Sequence, residues 1–213
     1  FSAKLAAIYG FSIFGKKHCY LLNKDNEIDY KKLNNFLNEF GAQKFLIFGF
    51  TSFIFKYLID KLSIKLLKNN FQNGILIHGG GWKKLENKKI NNQLFKLKLS
   101  KKTKIKKIYN YYGMVEQTGS IFFESEKCGF FHTSIFSDII IRDKDFNILP
   151  KNQEGIIQLL SILPKSYPGH NILTEDIGEI KGEDDCICGL KGKYFTVKGR
   201  IKEAEIRGCS DVG

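Results

Sequence analysis

The chain has 213 residues, 43% hydrophobic and 14% aromatic, enough to bury a sizeable core in one domain or in part of a larger one. Its formal net charge is +12, but nearly all the excess is lysine spread among Asn and Ile, which argues against a built nucleic-acid surface. The longest strongly apolar run, residues 45–55, is shorter than the roughly 20 residues a transmembrane helix needs, so no membrane span is expected. No secretory signal is visible, and the cysteines (19, 128, 186, 188 and 209) are odd in number and include a tight Cys-x-Cys. Together these point to a reducing, cytoplasmic setting with thiol or metal chemistry rather than disulfides. Residue 1 is Phe and the only methionine is Met114, so the chain reads as a fragment open at both ends.

In chain order, residues 1–9 predict a helix, followed after Gly10 by a strand-like Phe11 to Phe14. Residues 24–27 form a turn. Asp29 is a plausible N-cap for a helix to Phe40, with Leu33, Phe36, Leu37 and Phe40 at helical spacing. Lys44 to Phe50 is a continuous apolar run, as in a buried parallel strand. Thr51 can cap a helix running to about Leu67. Asn73 to His78 predicts a second buried strand, ending in Gly79-Gly80-Gly81-Trp82. A lysine-rich helix and the basic strand before Tyr109 follow. Beyond it, Phe130 to Ile141, Gly155 to Ile162, Glu179 to Lys181 and Tyr194 to Lys198 read as strands. The expectation is an α/β fold: a mostly parallel sheet with helices over residues 1–125, then an antiparallel β subdomain over 126–200. In such sheets ligands sit beyond the carboxyl ends of the strands.

Several short patterns could carry chemistry. A strand ending in Tyr112-Gly113 offers an aromatic face and bare backbone to a flat ligand, and Glu116 follows three residues later. The same letters also describe a glycine turn with a solvated Glu. Asp176, in Thr174-Glu175-Asp176-Ile177-Gly178, can accept two ribose hydroxyls or cap a turn. Arg200, in Gly199-Arg200-Ile201-Lys202, offers a fork for a polar ligand or a solvated basic turn. Cys128, His132, Cys186 and Cys188 make a Cys₃His set suited to structural zinc, or to buried thiols around a satisfied imidazole. Cys209 lies beside Arg207 and Gly208, where a nearby cation favours the thiolate a nucleophile needs.

Taken together, Asn110-x-Tyr112-Gly113-x-x-Glu116, Thr174-Glu175-Asp176 and Gly199-Arg200-x-Lys202 resemble, in order, three core motifs of adenylate-forming ligases. The finer resemblance is to the acyl-protein synthetase (LuxE) family, the fatty-acid-activating component of bacterial bioluminescence. It is carried by residues 78–83, 112–119, 128–134 and 199–209, with Phe1-Ser2-Ala3-Lys4 through Ser12 also similar.

The resemblance implies roles. Gly79, Gly80 and Gly81 would line the nucleotide and acyl site, and Tyr112, with Gly113, would stack on the adenine of ATP. Glu116 would hold Mg²⁺, Asp176 would bind the ribose, and Arg200 would contact ribose or phosphate. Lys202 would mark the hinge opening residues 201–213, and Cys209 would take the acyl group as a thioester. Cys128, His132, Cys186 and Cys188 resemble a Zn²⁺ site of the related phenylacetate-CoA ligase branch. A partner acyl reductase would then make an aldehyde. Val115 stands where the superfamily usually has Thr or Ser, His170-Asn171 where relatives often have Arg-Tyr, and the phosphate loop is absent. The fragment alone is therefore expected to bind nucleotide weakly and to be inactive. A CoA ligase of the phenylacetate type and a non-catalytic, zinc-stabilised binding module are the alternatives.

Overall fold

The structure, a computed structural model, describes residues 3–201. The chain forms two compact units, the first running to Tyr109 and the second starting at Asn110.

In the first unit, α1 (Ala3–Ser12) continues through Gly10, so the strand expected at Phe11 to Phe14 is absent. Packing explains the difference: Phe11 is buried and its ring stacks on Phe48 at 4.2 Å. α2 (Tyr30–Phe40) begins as the sequence predicts, with the Asp29 carboxylate accepting from the Lys32 amide at 2.9 Å. It buries Leu33 and Leu37.

β1 (Phe45–Phe50) and β2 (Gly74–Gly79) pair in parallel, Phe45 opposite Gly74 and Phe50 opposite Gly79. Between them α3 (Thr51–Ile54) widens into a π-helical stretch, Phe55–Lys61, and so ends short of Leu67. Thr51 is the first helical residue rather than the cap. Extended Phe50 holds the cap position, and the Thr51 hydroxyl is used elsewhere, donating to the Gly79 carbonyl at 3.1 Å.

α4 (Asn92–Thr103) is capped by the Asn91 side chain and stops at Lys104, whose φ of 67° is left-handed. Lys98 and Lys101 face water and Lys102 donates to the Ile59 carbonyl, while Phe95 and Leu99 are buried with Leu76, Ile105, Leu58 and Trp82. Burying a side chain of that size stabilises by roughly 1.5–3 kcal/mol, so packing rather than propensity holds this helix.

β3 (Lys107–Tyr112) carries the chain from one unit to the next. In the second unit β4 (Phe122–Phe123) pairs antiparallel with Tyr111 and Tyr112. A five-stranded antiparallel sheet follows, in the order β5-β9-β8-β7-β6. Its strands are β5 (Phe131–His132), β6 (Ser137–Arg142), β7 (Gly155–Ser161), β8 (Asn171–Glu183) and β9 (Lys193–Arg200).

The strand expected over Phe130 to Ile141 is two strands. The Ser134 side chain and carbonyl accept from the amides of Phe136 and Ser137, turning the chain between them. Asp143 closes the β6–β7 turn by accepting from Asp145 and Asn147. The core is Phe122, Phe131, Ile139, Ile141, Ile157, Leu159, Ile180 and Phe195. The fold is thus α/β, with a parallel strand pair and helices followed by an antiparallel β sheet. The change of strand character read near residue 125 comes after the division into units, which falls inside β3.

Candidate functional site

The second unit gathers Tyr112, Asp176, Arg200 and Glu116. Tyr112 ends β3, its ring packed in an aromatic cluster against Phe122, Phe131 and Phe195 at 6.1–6.2 Å. That packing aims the hydroxyl at β8, where it donates to Asp176 Oδ2 at 2.8 Å. Asp176 lies within β8, not beside a turn, and is paired across the ladder with Arg200 of β9. The Arg200 Nε is 4.0 Å from Asp176 Oδ1, and its guanidinium also pairs with Glu175. Irregular register between Ile177 and Gly178 bends β8 just after the acid.

This corner is acidic and partly desolvated. Burial is the largest influence on Asp176 and pushes its carboxyl up; the Tyr112 hydroxyl and Arg200 pull it down, and the charges of Glu175 and Glu116 raise it again. Tyr112 is pushed well above the ordinary phenol range, chiefly by burial and then by Asp176. Glu116 acts on both, so the four groups share one electrostatic neighbourhood. Desolvated groups with a specific charge partner are a frequent mark of functional sites. Gly113 needs its bare backbone: a Cβ there would meet the Ser120 carbonyl at 3.0 Å. Val115 is exposed.

The second constellation is Cys128, His132, Cys186 and Cys188, whose ligand atoms lie within 4.8 Å of one another. The His132 Nε2 is 3.3, 3.7 and 3.4 Å from the sulfurs of Cys128, Cys186 and Cys188, and the last two sulfurs are 3.3 Å apart. A tetrahedral zinc with bonds of about 2.3 Å to sulfur and 2.0–2.1 Å to nitrogen separates its ligands by roughly 3.5–3.8 Å. The residues fit the ion. Burial lowers His132 and so keeps its imidazole in the neutral form that ligates, and burial pushes the Cys186 thiol up to about 11. A cation among these thiols would favour the thiolates instead.

In the first unit, Gly79 closes β2, Gly80 has φ +76°, and a Cβ on Gly81 would meet open space. The preceding His78 is fully buried, its Nδ1 3.0 Å from the Thr51 hydroxyl and its Nε2 without a partner. Burial lowers its pKa to about 3, so it is neutral. Lys202 and Cys209 lie outside the described residues.

Sequence reasoning missed Glu175 as the partner of Arg200. The two are 25 residues apart, and only the β8–β9 register brings them together. It also missed the contacts of Gln117 and Tyr167 around Glu116, which join loops about 50 residues apart.

The fold is shared with adenylate-forming ligases. The luciferase-like enzyme of the nonluminescent mealworm Zophobas morio aligns with TM-score 0.54 and 18% identity, over 84% of this chain and 42% of that one. The amide bond synthetase McbA of Marinactinospora thermotolerans aligns with TM-score 0.55 and 11% identity, over 82% and 35%. ATP-bound MatB of Rhodopseudomonas palustris aligns with TM-score 0.52 and 15% identity, over 81% and 33%. The chain thus spans about a third of the length of MatB. Among curated proteins none matches the chain in sequence. The family model of acyl-protein synthetase, LuxE, matches residues 1–213. The chain therefore belongs to the LuxE acyl-protein synthetase family.

Proposed function

We propose that the full-length protein uses ATP to activate a long-chain fatty acid and passes the acyl group to a cysteine thiol. The fatty-acid carboxylate attacks the α-phosphorus of ATP, and the bond to pyrophosphate breaks, leaving acyl-AMP. The Cys209 thiolate then attacks the acyl carbonyl, the bond to AMP breaks, and a thioester forms. Covalent capture divides one difficult transfer into two easier ones. A partner acyl reductase consumes the thioester.

The observation that supports this reading best is the convergence of Tyr112, Asp176 and Arg200 beside Glu116. Asp176 accepts the ribose hydroxyls, Tyr112 and Gly113 border the adenine, and Arg200 contacts ribose or phosphate. Gly79, Gly80 and Gly81 line the nucleotide and acyl site, and Lys202 serves as the hinge. Glu116 is the residue that would hold Mg²⁺, which when bound offsets phosphate charge as pyrophosphate leaves. Cys128, His132, Cys186 and Cys188 would hold a structural zinc in a closed four-ligand set with no position open for catalysis.

Labelled fatty acid and MgATP given to the full-length protein separate the readings. The expected result is label on the protein, lost in Cys209→Ser while acyl-AMP still forms. Label that appears only on added CoA would instead identify a CoA ligase, and absence of acyl-AMP would overturn the activation step.

A further inference from the structure

We propose that Gln117, Tyr167 and Gly169 are positioning residues that hold Glu116 in place for the ion it is assigned above; the inference rests on that assignment. Glu116 is exposed, on a loop between β3 and β4 that has no ladder hydrogen bonds of its own. A solvent-facing carboxylate on such a loop is ordinarily mobile. Here its backbone is gripped on both sides.

Gln117 is fully buried, and its Nε2 donates to the Gly169 carbonyl at 3.0 Å and the Leu159 carbonyl at 3.3 Å. Two carbonyl acceptors fix which end of the amide points there. The Gln117 Oε1 is left buried without a partner. Burying such an atom unpaired is costly, and that orientation is kept for the sake of the two carbonyls.

On the next residue, the Thr118 amide donates to the Tyr167 hydroxyl at 2.9 Å. That hydroxyl donates to Thr118 Oγ1 at 3.1 Å, which in turn donates to the Val115 carbonyl at 3.3 Å. The chain of hydroxyls ends on the residue just before Glu116. Gly169 closes the third side: a Cβ there would stand 2.7 Å from the Glu116 carbonyl and 2.4 Å from the Tyr167 ring. Only glycine lets the two loops approach so closely.

Tyr167 is 39% exposed, so Tyr167→Phe removes the hydroxyl without opening a core. In the full-length protein, Tyr167→Phe is expected to speed amide hydrogen exchange across residues 113–120 while the melting temperature holds. It should raise the Mg²⁺ concentration for half-maximal ATP–pyrophosphate exchange by up to about tenfold, the upper scale for losing one neutral hydrogen bond. In a Glu116→Gln background Tyr167→Phe should add nothing to the Mg²⁺ dependence, since the residue acts through Glu116. Unchanged amide exchange in Tyr167→Phe overturns the proposal, as does a Mg²⁺ effect that persists undiminished without the Glu116 carboxylate. If Glu116→Gln alone leaves the Mg²⁺ dependence as it was, the assignment of the ion to Glu116 fails, whereas amide exchange still reports on the clamp.

Discussion

Asp176→Asn in the full-length protein is expected to slow acyl-AMP formation by about 100-fold and yet leave the fold at least as stable at neutral pH. The first half follows from charge. A hydrogen bond to an ionised group contributes roughly 1.5–3 kcal/mol, and about 2.7 kcal/mol corresponds to 100-fold in rate. An amide keeps an oxygen for the Tyr112 hydroxyl but loses the charge toward ribose hydroxyls and Arg200.

The second half follows from the direction of the acid's shift. Burial, with the charges of Glu175 and Glu116, raises Asp176 in the folded chain by more than Tyr112 and Arg200 lower it. The folded state therefore holds that proton more tightly than the unfolded state. The contribution is most favourable below the unfolded pKa of about 3.9 and is lost as pH rises through the raised folded value. Asn carries no titrating group, so melts of variant and wild type should converge toward pH 4 and separate in the variant's favour toward pH 7. A site residue that costs stability where activity needs it is the usual trade. An Asn variant that is active, or one that is less stable only at neutral pH, would contradict this assignment.

Loss of the metal is expected to be the larger structural event. The full-length protein should contain one zinc per chain, and Cys186→Ser or a strong chelator should remove it and lower the melting temperature by about 10 °C or more. Structural zinc contributes folding free energy directly, and in a domain of this size each kcal/mol moves the midpoint by about 2–4 °C. The site's position explains the size. β5 is held to β9 by just the Phe131–Phe195 and His132–Tyr194 pairs in register and by Thr133, whose amide and hydroxyl donate to the Lys193 carbonyl. Cys128 precedes β5, and Cys186 and Cys188 lie in the β8–β9 connection, so one ion would tie the short edge strand to that hairpin. Cys19→Ser, in the first unit and outside the cluster, should leave metal content and midpoint unchanged. Elemental analysis that finds no zinc would remove the claim.

What could be read in the letters was what local chemistry or residue type decides. Asp29 capped its helix because a short carboxylate reaches the third amide wherever the next residues turn helical. The runs that became β1 and β2 were legible because a parallel strand is apolar on both faces. The four zinc candidates stood out because thiols and imidazoles are scarce in this chain, although Cys186 is 54 residues from His132. What stayed hidden depended on tertiary contacts. Phe11 looked extended until its stacking on Phe48 held it in a helix, and Thr51 looked like a cap until His78 and Gly79 claimed its hydroxyl. Thr174 to Gly178 looked like a turn because its irregularity is a bulge within β8, visible only once β9 is alongside. The grip on Glu116 joins segments 42 or more residues apart and leaves no periodic trace.

Fatty-acid-dependent ATP–pyrophosphate exchange by the full-length, zinc-loaded protein tests most directly whether the Tyr112–Asp176–Arg200 corner serves acyl activation. The expected result is exchange that requires both fatty acid and Mg²⁺ and that in Glu116→Gln is much weakened and needs far more Mg²⁺ to reach half of its maximum. A folded, zinc-loaded protein that exchanges no pyrophosphate with any fatty acid would contradict it.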